Sequence, residues 1–197
     1  MVEAGRVIAG SARGIRLTAP GEGTRPLADR VKESLFGALE AEGVVGRDTA
    51  FLDLFAGSGA AGIEALSRRS ARAVFVEEDG AACRVIEDNL RRAHLEEGKV
   101  IRCDVATFLG RDAVRNGAPF DCCLLDPPYA GDLLVPTLEL LADPARGWLA
   151  PASVVIAKHF WRDAPAPQIG TLERYRERRF GETMLSFYRD AARGREE

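Results

Sequence analysis

The chain has 197 residues, 46% of them hydrophobic and 29% charged, and a formal net charge of −3 at pH 7. This is the composition of an ordinary soluble globular domain, and no apolar run approaches the roughly 18 residues that a membrane span requires. The negative balance excludes a uniformly basic nucleic-acid coat, so any contact with RNA would depend on local arginine patches.

Targeting and metal-binding patterns are both missing from the sequence. Residues 1–14 are polar and contain arginines but no apolar signal core, so we expect a cytoplasmic protein. The cysteines and histidines lack the spacing of a metal site or a disulfide framework, and we interpret the cysteines as small buried hydrophobic side chains. They are Cys83, Cys103, Cys122, Cys123, His94 and His159. We therefore expect no bound metal.

Two basic segments are candidates for contact with RNA. The first comprises Arg6, Arg13, Arg16, Arg25, Arg30 and Lys32. The second comprises Arg174, Arg176, Arg178 and Arg179. Acidic residues are interleaved with both, so an ordinary solvated face is the alternative explanation, and for the second segment it is the favoured one.

The N-terminal part of the chain predicts a hairpin followed by a helix. Residues 6–10 and 15–19 are typical of two short strands around a turn. Residues 20–26 contain two glycines and two prolines and therefore predict a loop. A four-residue apolar repeat then predicts an amphipathic helix that ends before Gly43 and Gly46. The repeat consists of Leu27, Val31, Leu35 and Leu39.

From Phe51 onward, strand-like and helix-like patterns follow each other in turn. Predicted strands cover residues 51–55, 73–77, 100–103, 122–125, 153–157 and 183–188, and predicted helices cover 60–69, 82–93 and 134–141. This alternation predicts an α/β fold with a mostly parallel sheet and helices on both faces. Ligands of such sheets bind at the carboxyl ends of the strands. Four acidic residues fall at or just past strand ends, where folding does not require them: Asp53, Glu77, Asp104 and Asp126.

A glycine-rich turn after the first strand of this series predicts a nucleotide site. Residues 57–62 spell G-x-G-x-x-G, and Glu77 follows Gly57 by twenty residues, a pattern that also fits NAD. Asp53, however, would face the pyrophosphate of NAD and repel it, whereas it would attract the α-ammonium group of S-adenosylmethionine. Taken alone, Asp53 is equally well explained as a loop acid or a helix cap.

We therefore predict an S-adenosylmethionine site along this edge of the sheet. Glu77 would accept hydrogen bonds from the ribose hydroxyls, and Asp104 would accept one from the adenine amino group. The methionine end would lie against Asp53 and the turn that follows it, which contains Phe55, Ala56, Gly57 and Gly59.

The sequence Asp126-Pro127-Pro128-Tyr129 ends a predicted strand at the same edge. Two prolines make a stiff turn, and a stiff turn is a sufficient structural explanation by itself. The motif also suits methyl transfer to an exocyclic amine of a base, whose lone pair is delocalised into the ring. The Asp126 carboxylate and the Pro127 carbonyl would hold the amine hydrogens, and Tyr129 would stack on the flipped-out base. This chemistry requires no metal.

Residues 53–59, 75–77 and 126–129 resemble the motifs of class I amino-methyltransferases. More narrowly, residues 6–10, 25–26, 29–36, 62–68 and 181–183 resemble the RsmD family of 16S ribosomal RNA guanine-N2 methyltransferases. The resemblance runs from about residue 6 to residue 188. Lys158 is a departure, because family members often carry glutamate at this position.

The resemblance implies a seven-stranded Rossmann-like sheet with an N-terminal β-hairpin that helps to grip RNA. It implies methylation of one guanine, with 16S ribosomal RNA recognised in the assembling small subunit, and we expect a monomer. Arg13, Arg16, Arg25 and Arg30 would contact the RNA. We expect an N-terminal extension over residues 1–24, a methyltransferase domain over 25–190 and a frayed tail over 191–197.

Four alternatives stay open on the sequence alone. A DNA adenine-N6 methyltransferase uses the same tetrapeptide but usually needs a separate target-recognition domain. Modification of a protein glutamine amide normally uses a motif that begins with asparagine, whereas this motif begins with Asp126. An NAD-binding oxidoreductase and a catalytically inactive binding module are the other two.

Overall fold

The computed structural model describes residues 3–21, 28–128 and 132–192, which form an N-terminal hairpin and an eight-stranded sheet with helices. The hairpin consists of β1 (Glu3–Arg6) and β2 (Arg16–Thr18). The sheet contains β3 (Ala50–Leu54), β4 (Arg72–Glu77), β5 (Gly98–Arg102), β6 (Phe120–Leu125), β7 (Leu149–Phe160), β8 (Gln168–Ile169), β9 (Leu172–Phe180) and β10 (Thr183–Asp190). The helices are α1 (Asp29–Ala41), α2 (Ala60–Ser67), α3 (Gly80–Ala93), α4 (Val105–Leu109) and α5 (Leu134–Ala142).

The order of the strands in the sheet is β5-β4-β3-β6-β7-β10-β9-β8. The first five strands are parallel to one another, and the last three pair antiparallel. The predicted α/β class, with a mostly parallel sheet and an N-terminal hairpin, is confirmed. The sheet has eight strands rather than the expected seven because the two-residue strand β8 pairs with β9 at the edge.

The chain reverses its direction of travel across the sheet after β5. From β3 it crosses to β4 and β5 on one side, and it then returns to place β6 and β7 on the other side of β3. Such a switch point opens a crevice at the carboxyl ends of the two strands that flank it, here β3 and β6. The topology thus determines where a ligand can bind.

Helices cover both faces of the sheet, as the sequence predicts. One core cluster lies under α1, α2, α3 and the hairpin, and it includes Phe36, Ile63 and Ile86. The other lies under α4 and α5 and includes Phe108 and Trp148. Within the described ranges, no helix combines the length and the apolar character that crossing a membrane would take.

The first hairpin strand ends at Arg6, so the prediction of a strand over residues 6–10 is wrong in its boundaries. The N–H groups of Ile8 and Ala9 donate to the carboxylate of Glu64 in α2, at 2.8 and 3.0 Å. Backbone donors that bond to a helix side chain cannot also join a β ladder. The tip of the hairpin therefore docks on α2 instead of extending the strand pair.

Strand β9 has no counterpart among the elements predicted from the sequence pattern. Six of its nine residues are charged, which hides the strand pattern. Its backbone pairs with β10 along its length, and Arg176 forms an ion pair with Glu42 just beyond α1, at 2.6 Å. Tertiary pairing therefore makes a strand of a segment whose own composition is typical of a solvated surface.

Candidate active site

A cavity of about 530 Å³ opens at the carboxyl ends of β3, β4 and β6. The β3–α2 turn, the start of α4 and one side of α5 complete its wall. The structure brings together, in this one wall, the four acids that the sequence singles out: Asp53, Glu77, Asp104 and Asp126. The strand order is the reason, because β5, β4, β3 and β6 are neighbours and present their carboxyl ends at one edge.

The turn between β3 and α2 takes a conformation that favours glycine at two positions. Gly57 and Gly59 have φ values of 56° and 74°, in the left-handed region. Gly57 lines the cavity together with Phe55 and Ala56. Gly59 is not among the lining residues, and a Cβ atom there would lie 2.9 Å from the side chain of Ile86. Gly59 therefore shapes the turn and the packing behind it.

Asp53 is buried at the floor of the cavity, with 2% of its surface exposed. Its carboxylate accepts a hydrogen bond of 2.9 Å from the N–H of Gly62 in the first turn of α2. Burial and the nearby charges of Asp126 and Glu77 raise its pKa to about 8, against the lowering effect of that hydrogen bond. Asp53 therefore does accept a hydrogen bond from the start of α2, as the helix-cap explanation expects. A cationic ligand in the cavity would still stabilise the charged form of this carboxylate.

Glu77 and Asp104 are both held by backbone N–H groups. The carboxylate of Glu77 accepts hydrogen bonds from the N–H of Gly57 at 2.8 Å and from the N–H of Asp79 at 3.0 Å. It therefore links the β3–α2 turn to the residues that follow β4. Asp104 is the N-cap of α4 and accepts from Thr107 at 2.8 Å. This hydrogen bonding lowers the pKa of Asp104. Both side chains are therefore oriented acceptors on the rim of the cavity.

Asp126 forms an ion pair with Lys158, whose Nζ atom lies 2.7 Å from each carboxylate oxygen. The two residues meet because β6 and β7 pair in parallel with Leu125 opposite Ala157. Burial raises the pKa of Asp126, while the charge and the hydrogen bonds of Lys158 lower it. The side chain of Asp126 is 24% exposed and that of Lys158 only 8%, so the pair lies at the cavity wall with the carboxylate on the accessible side.

Lys158 is the site residue whose partner the sequence did not reveal. It stood out only as a departure from the RsmD pattern, and its contact depends on the register between β6 and β7. Pro127 is buried in the cavity wall. Tyr129, the predicted stacking residue, lies outside the described residues.

Comparison with known proteins agrees with this arrangement. A family model described as Conserved hypothetical protein 95 matches residues 5–189. Ribosomal RNA small subunit methyltransferase D of Escherichia coli (strain K12) is 34% identical over 190 residues, which cover 96% of this chain and 91% of that protein. The chain belongs to this family. The protein of the same name from Haemophilus influenzae is 36% identical over 153 residues, 76% of either chain.

Solved structures with similar sequences share the fold of this methyltransferase D family member. The structure of yhhF from Escherichia coli, described as a candidate methyltransferase, has a TM-score of 0.79 and 34% identity, covering 94% of this chain and 97% of that chain. Hypothetical protein TTHA0928 of Thermus thermophilus has a TM-score of 0.77 and 33% identity, covering 92% and 97%. The likeness therefore extends over nearly the whole chain.

The arginines that the family resemblance assigns to RNA binding lie in different places. Arg13 is in the hairpin turn, whose backbone bonds to the last residue of α2, whereas the first residues of α2 line the cavity about 10 Å away along the helix. Arg16 forms an ion pair with Glu3 at 2.6 Å. Arg30 is exposed in the first turn of α1, and Arg25 lies outside the described residues. Arg13 therefore lies near the end of α2 that is remote from the cavity.

Proposed function

We propose that this protein transfers a methyl group from S-adenosylmethionine to the exocyclic N2 of a guanine in 16S ribosomal RNA, acting as a monomer on the assembling small ribosomal subunit. The observation that carries the proposal is a pair of carboxylates, Asp53 and Asp126, at the ends of neighbouring parallel strands and facing one cavity. One suits the cationic amine of the cofactor, and the other suits the N–H groups of a base. The relatives' names, which specify small-subunit ribosomal RNA, support this class of substrate.

The acids of the cavity wall account for the polar groups of the cofactor. The Asp53 carboxylate would pair with the α-ammonium group, which would favour its charged form despite burial. Glu77, held by two backbone N–H groups, would accept from the ribose hydroxyls. Asp104 would accept from the adenine amino group, with Cys103 and Val105 beside the ring. When bound, the cofactor supplies an electrophilic methyl group on a positively charged sulfur.

Asp126 is suited to hold guanine in particular. Guanine presents N1–H and N2–H side by side, and a carboxylate accepts two such donors together, whereas adenine presents the acceptor N1 beside its amine. The carbonyl of Pro127 would accept the second hydrogen of N2. A carboxylate has about four acceptor positions, so the two hydrogen bonds from Lys158 leave Asp126 able to accept from a base.

The transfer itself is a displacement that the protein promotes mainly by positioning. Held by Asp53, Glu77 and Asp104, S-adenosylmethionine would supply the methyl group for attack by the N2 lone pair, with its sulfur as the leaving group. Asp126 would take the proton released from N2 and pass it to water. Holding the two reactants in line supplies roughly 7–11 kcal/mol of the required acceleration. The carboxylate must be ionised at the start, which the adjacent Lys158 promotes.

The test uses tritiated S-adenosylmethionine with three substrates: undermethylated small ribosomal subunits, naked 16S RNA and duplex DNA. Nucleosides are separated after digestion. We expect label in N2-methylguanosine from the ribosomal substrates and none from an Asp126→Ala control. Label in N6-methyladenine from DNA would overturn the substrate, and absence of label from all three would overturn the enzymatic function.

A further inference from the structure

The sheet edge beyond Asp126 carries one tryptophan and two arginines in contact, here called the Trp161 cluster (Trp161, Arg162 and Arg179). The guanidinium carbon of Arg179 lies 4.0 Å from a ring centroid of Trp161, and that of Arg162 lies 4.7 Å from it. Both arginines are exposed, and Trp161 is partly buried. Stacking on an aromatic ring holds a guanidinium in a defined place while leaving its N–H edge able to bind an anion.

Two other arginines of β9 have acidic partners, since Arg174 pairs with Glu177 at 3.0 Å and Arg176 with Glu42 at 2.6 Å. Arg178 donates to the neutral Ser34 at 2.7 Å. Within residues 3–21, 28–128 and 132–192, neither Arg162 nor Arg179 forms a salt bridge, although the exposed acids Asp163 and Glu182 are close in sequence. Arg179 is therefore an exposed arginine whose guanidinium is held by the Trp161 ring rather than by an acid.

The position of the cluster relates it to the reaction site. Trp161 follows Lys158, the partner of Asp126, by three residues, which is about 10 Å along an extended strand. Arg179 reaches the same edge because Met184 of β10 pairs with Arg179 on one side and with His159 on the other. The cofactor wall is formed by β3 and β4, so the cluster lies on the opposite side of Asp126 from the proposed cofactor position.

We propose that the Trp161 cluster binds backbone phosphates of the RNA strand next to the target guanine. The inference rests on the proposed function, since it names how the substrate of that same site is held. A guanidinium matches the geometry of a phosphate, and exposed uncompensated arginines are what an acidic protein needs in order to hold a polyanion locally. Contacts to phosphate position the strand without reading its sequence, so the cluster would orient the RNA while Asp126 selects the base.

The experiment compares the Arg162→Ala/Arg179→Ala double variant with wild-type protein and with Arg115→Ala. Arg115 is the control because its side chain is 87% exposed and it lies just before β6, at the amino end of that strand, whereas the cavity lies at the carboxyl ends. Steady-state methyl transfer to undermethylated small subunits is measured, together with filter binding of naked 16S RNA at several KCl concentrations. We expect the double variant to raise KM for subunits by up to roughly fivefold for each arginine removed, with kcat nearly unchanged. The plot of log affinity against log salt should lose about 0.7 of slope per phosphate contact removed.

Two outcomes would overturn the proposed phosphate contacts of the Trp161 cluster. A double variant that matches Arg115→Ala in both KM and salt slope overturns the inference. A loss on subunits with unchanged binding of naked RNA also overturns it, because the cluster would then contact a ribosomal protein. If the wild-type protein methylates no RNA, the proposed function fails, and filter binding of naked 16S RNA still tests whether the Trp161 cluster binds RNA. Trp161→Phe should preserve most of the affinity and Trp161→Ala should lower it, since stacking orients the two guanidinium groups.

Discussion

Replacing Lys158 by methionine should shift the pH dependence of methyl transfer toward higher pH. Lys158 donates two hydrogen bonds of 2.7 Å to Asp126, and it opposes the effect of burial on the pKa of that carboxyl. Methionine keeps most of the volume but removes the charge and both donors. The effect of burial on Asp126 would then be unopposed by Lys158, so the pKa of Asp126 should rise and its ionised form should become rarer at neutral pH.

The size of this shift follows from the contact. Hydrogen bonds to charged groups contribute roughly 1.5–3 kcal/mol, and the 24% exposure of the Asp126 side chain places the pair toward the lower end. Since one pKa unit corresponds to about 1.4 kcal/mol, we expect the pKa of Asp126 to rise by about 1–2 units. In the acidic limb of the profile, kcat/KM should therefore fall by roughly 10- to 100-fold and should recover at higher pH.

The assay is the pH profile of kcat/KM for labelled methyl transfer to small subunits, with cofactor affinity measured in parallel. Lys158→Arg is the matched control, because it keeps a charge and donors next to Asp126 and should leave the acidic limb nearly in place. An unshifted profile for Lys158→Met, or a loss of activity that high pH does not restore, would refute the reasoning that Lys158 acts by keeping Asp126 ionised.

Three further variants test the cavity and the packing behind it. Asp126→Ala should reduce transfer by several orders of magnitude while cofactor affinity, measured calorimetrically with S-adenosylhomocysteine, stays within about threefold of wild type; near wild-type turnover would contradict the catalytic role. Asp53→Asn should weaken cofactor binding at least about tenfold, because the ammonium group loses its carboxylate. In the folded wild-type protein the Asp53 carboxyl, with a pKa of about 8, still holds a proton that the unfolded chain releases near pH 4. The free energy of unfolding of wild type therefore falls as pH rises from about 4 to 8, whereas that of Asp53→Asn does not change for this reason. Urea unfolding at pH 5 and pH 8 measures this difference, which should grow by up to about 4 kcal/mol, and equal differences at the two pH values would argue against the raised pKa. Gly62→Ala places a Cβ atom 2.3 Å from the Phe75 ring and should lower the free energy of unfolding by about 1–3 kcal/mol. Thermal and urea unfolding measure this loss. The control is Gly37→Ala, at an exposed position where the added Cβ meets no atom within 4 Å.

The local elements of this protein could be predicted because their signals are local. Hydrophobic periodicity indicated strands β3, β4 and β6 and helices α2, α3 and α5 close to their observed bounds, since the period of a pattern depends only on residues near one another in the chain. The glycines after β3 and the acids at strand ends were also visible. Parallel α/β topology then implied that those acids meet at one edge, which the shared cavity wall bears out.

Other features depended on contacts between distant segments. Strand β9 was not predicted because its six charged residues lack the hydrophobic pattern of a strand. It forms because its backbone pairs with that of β10. The first hairpin strand ended early because Glu64 takes its N–H groups, and Arg13 lies at the far end of α2 because the hairpin tip docks there. None of these pairings leaves a periodic trace in the sequence.

The electrostatics of the site was likewise decided by the tertiary structure. The sequence placed Asp53 and Asp126 at strand ends, but the raised pKa of Asp53 comes from complete burial beneath α2. The ion pair between Asp126 and Lys158 comes from the register of β6 against β7 across 32 positions of sequence. Residue types, their order and their periodicity are properties of the chain alone, whereas burial and the distance between charges exist only after packing, and these two quantities set the chemistry of a carboxylate.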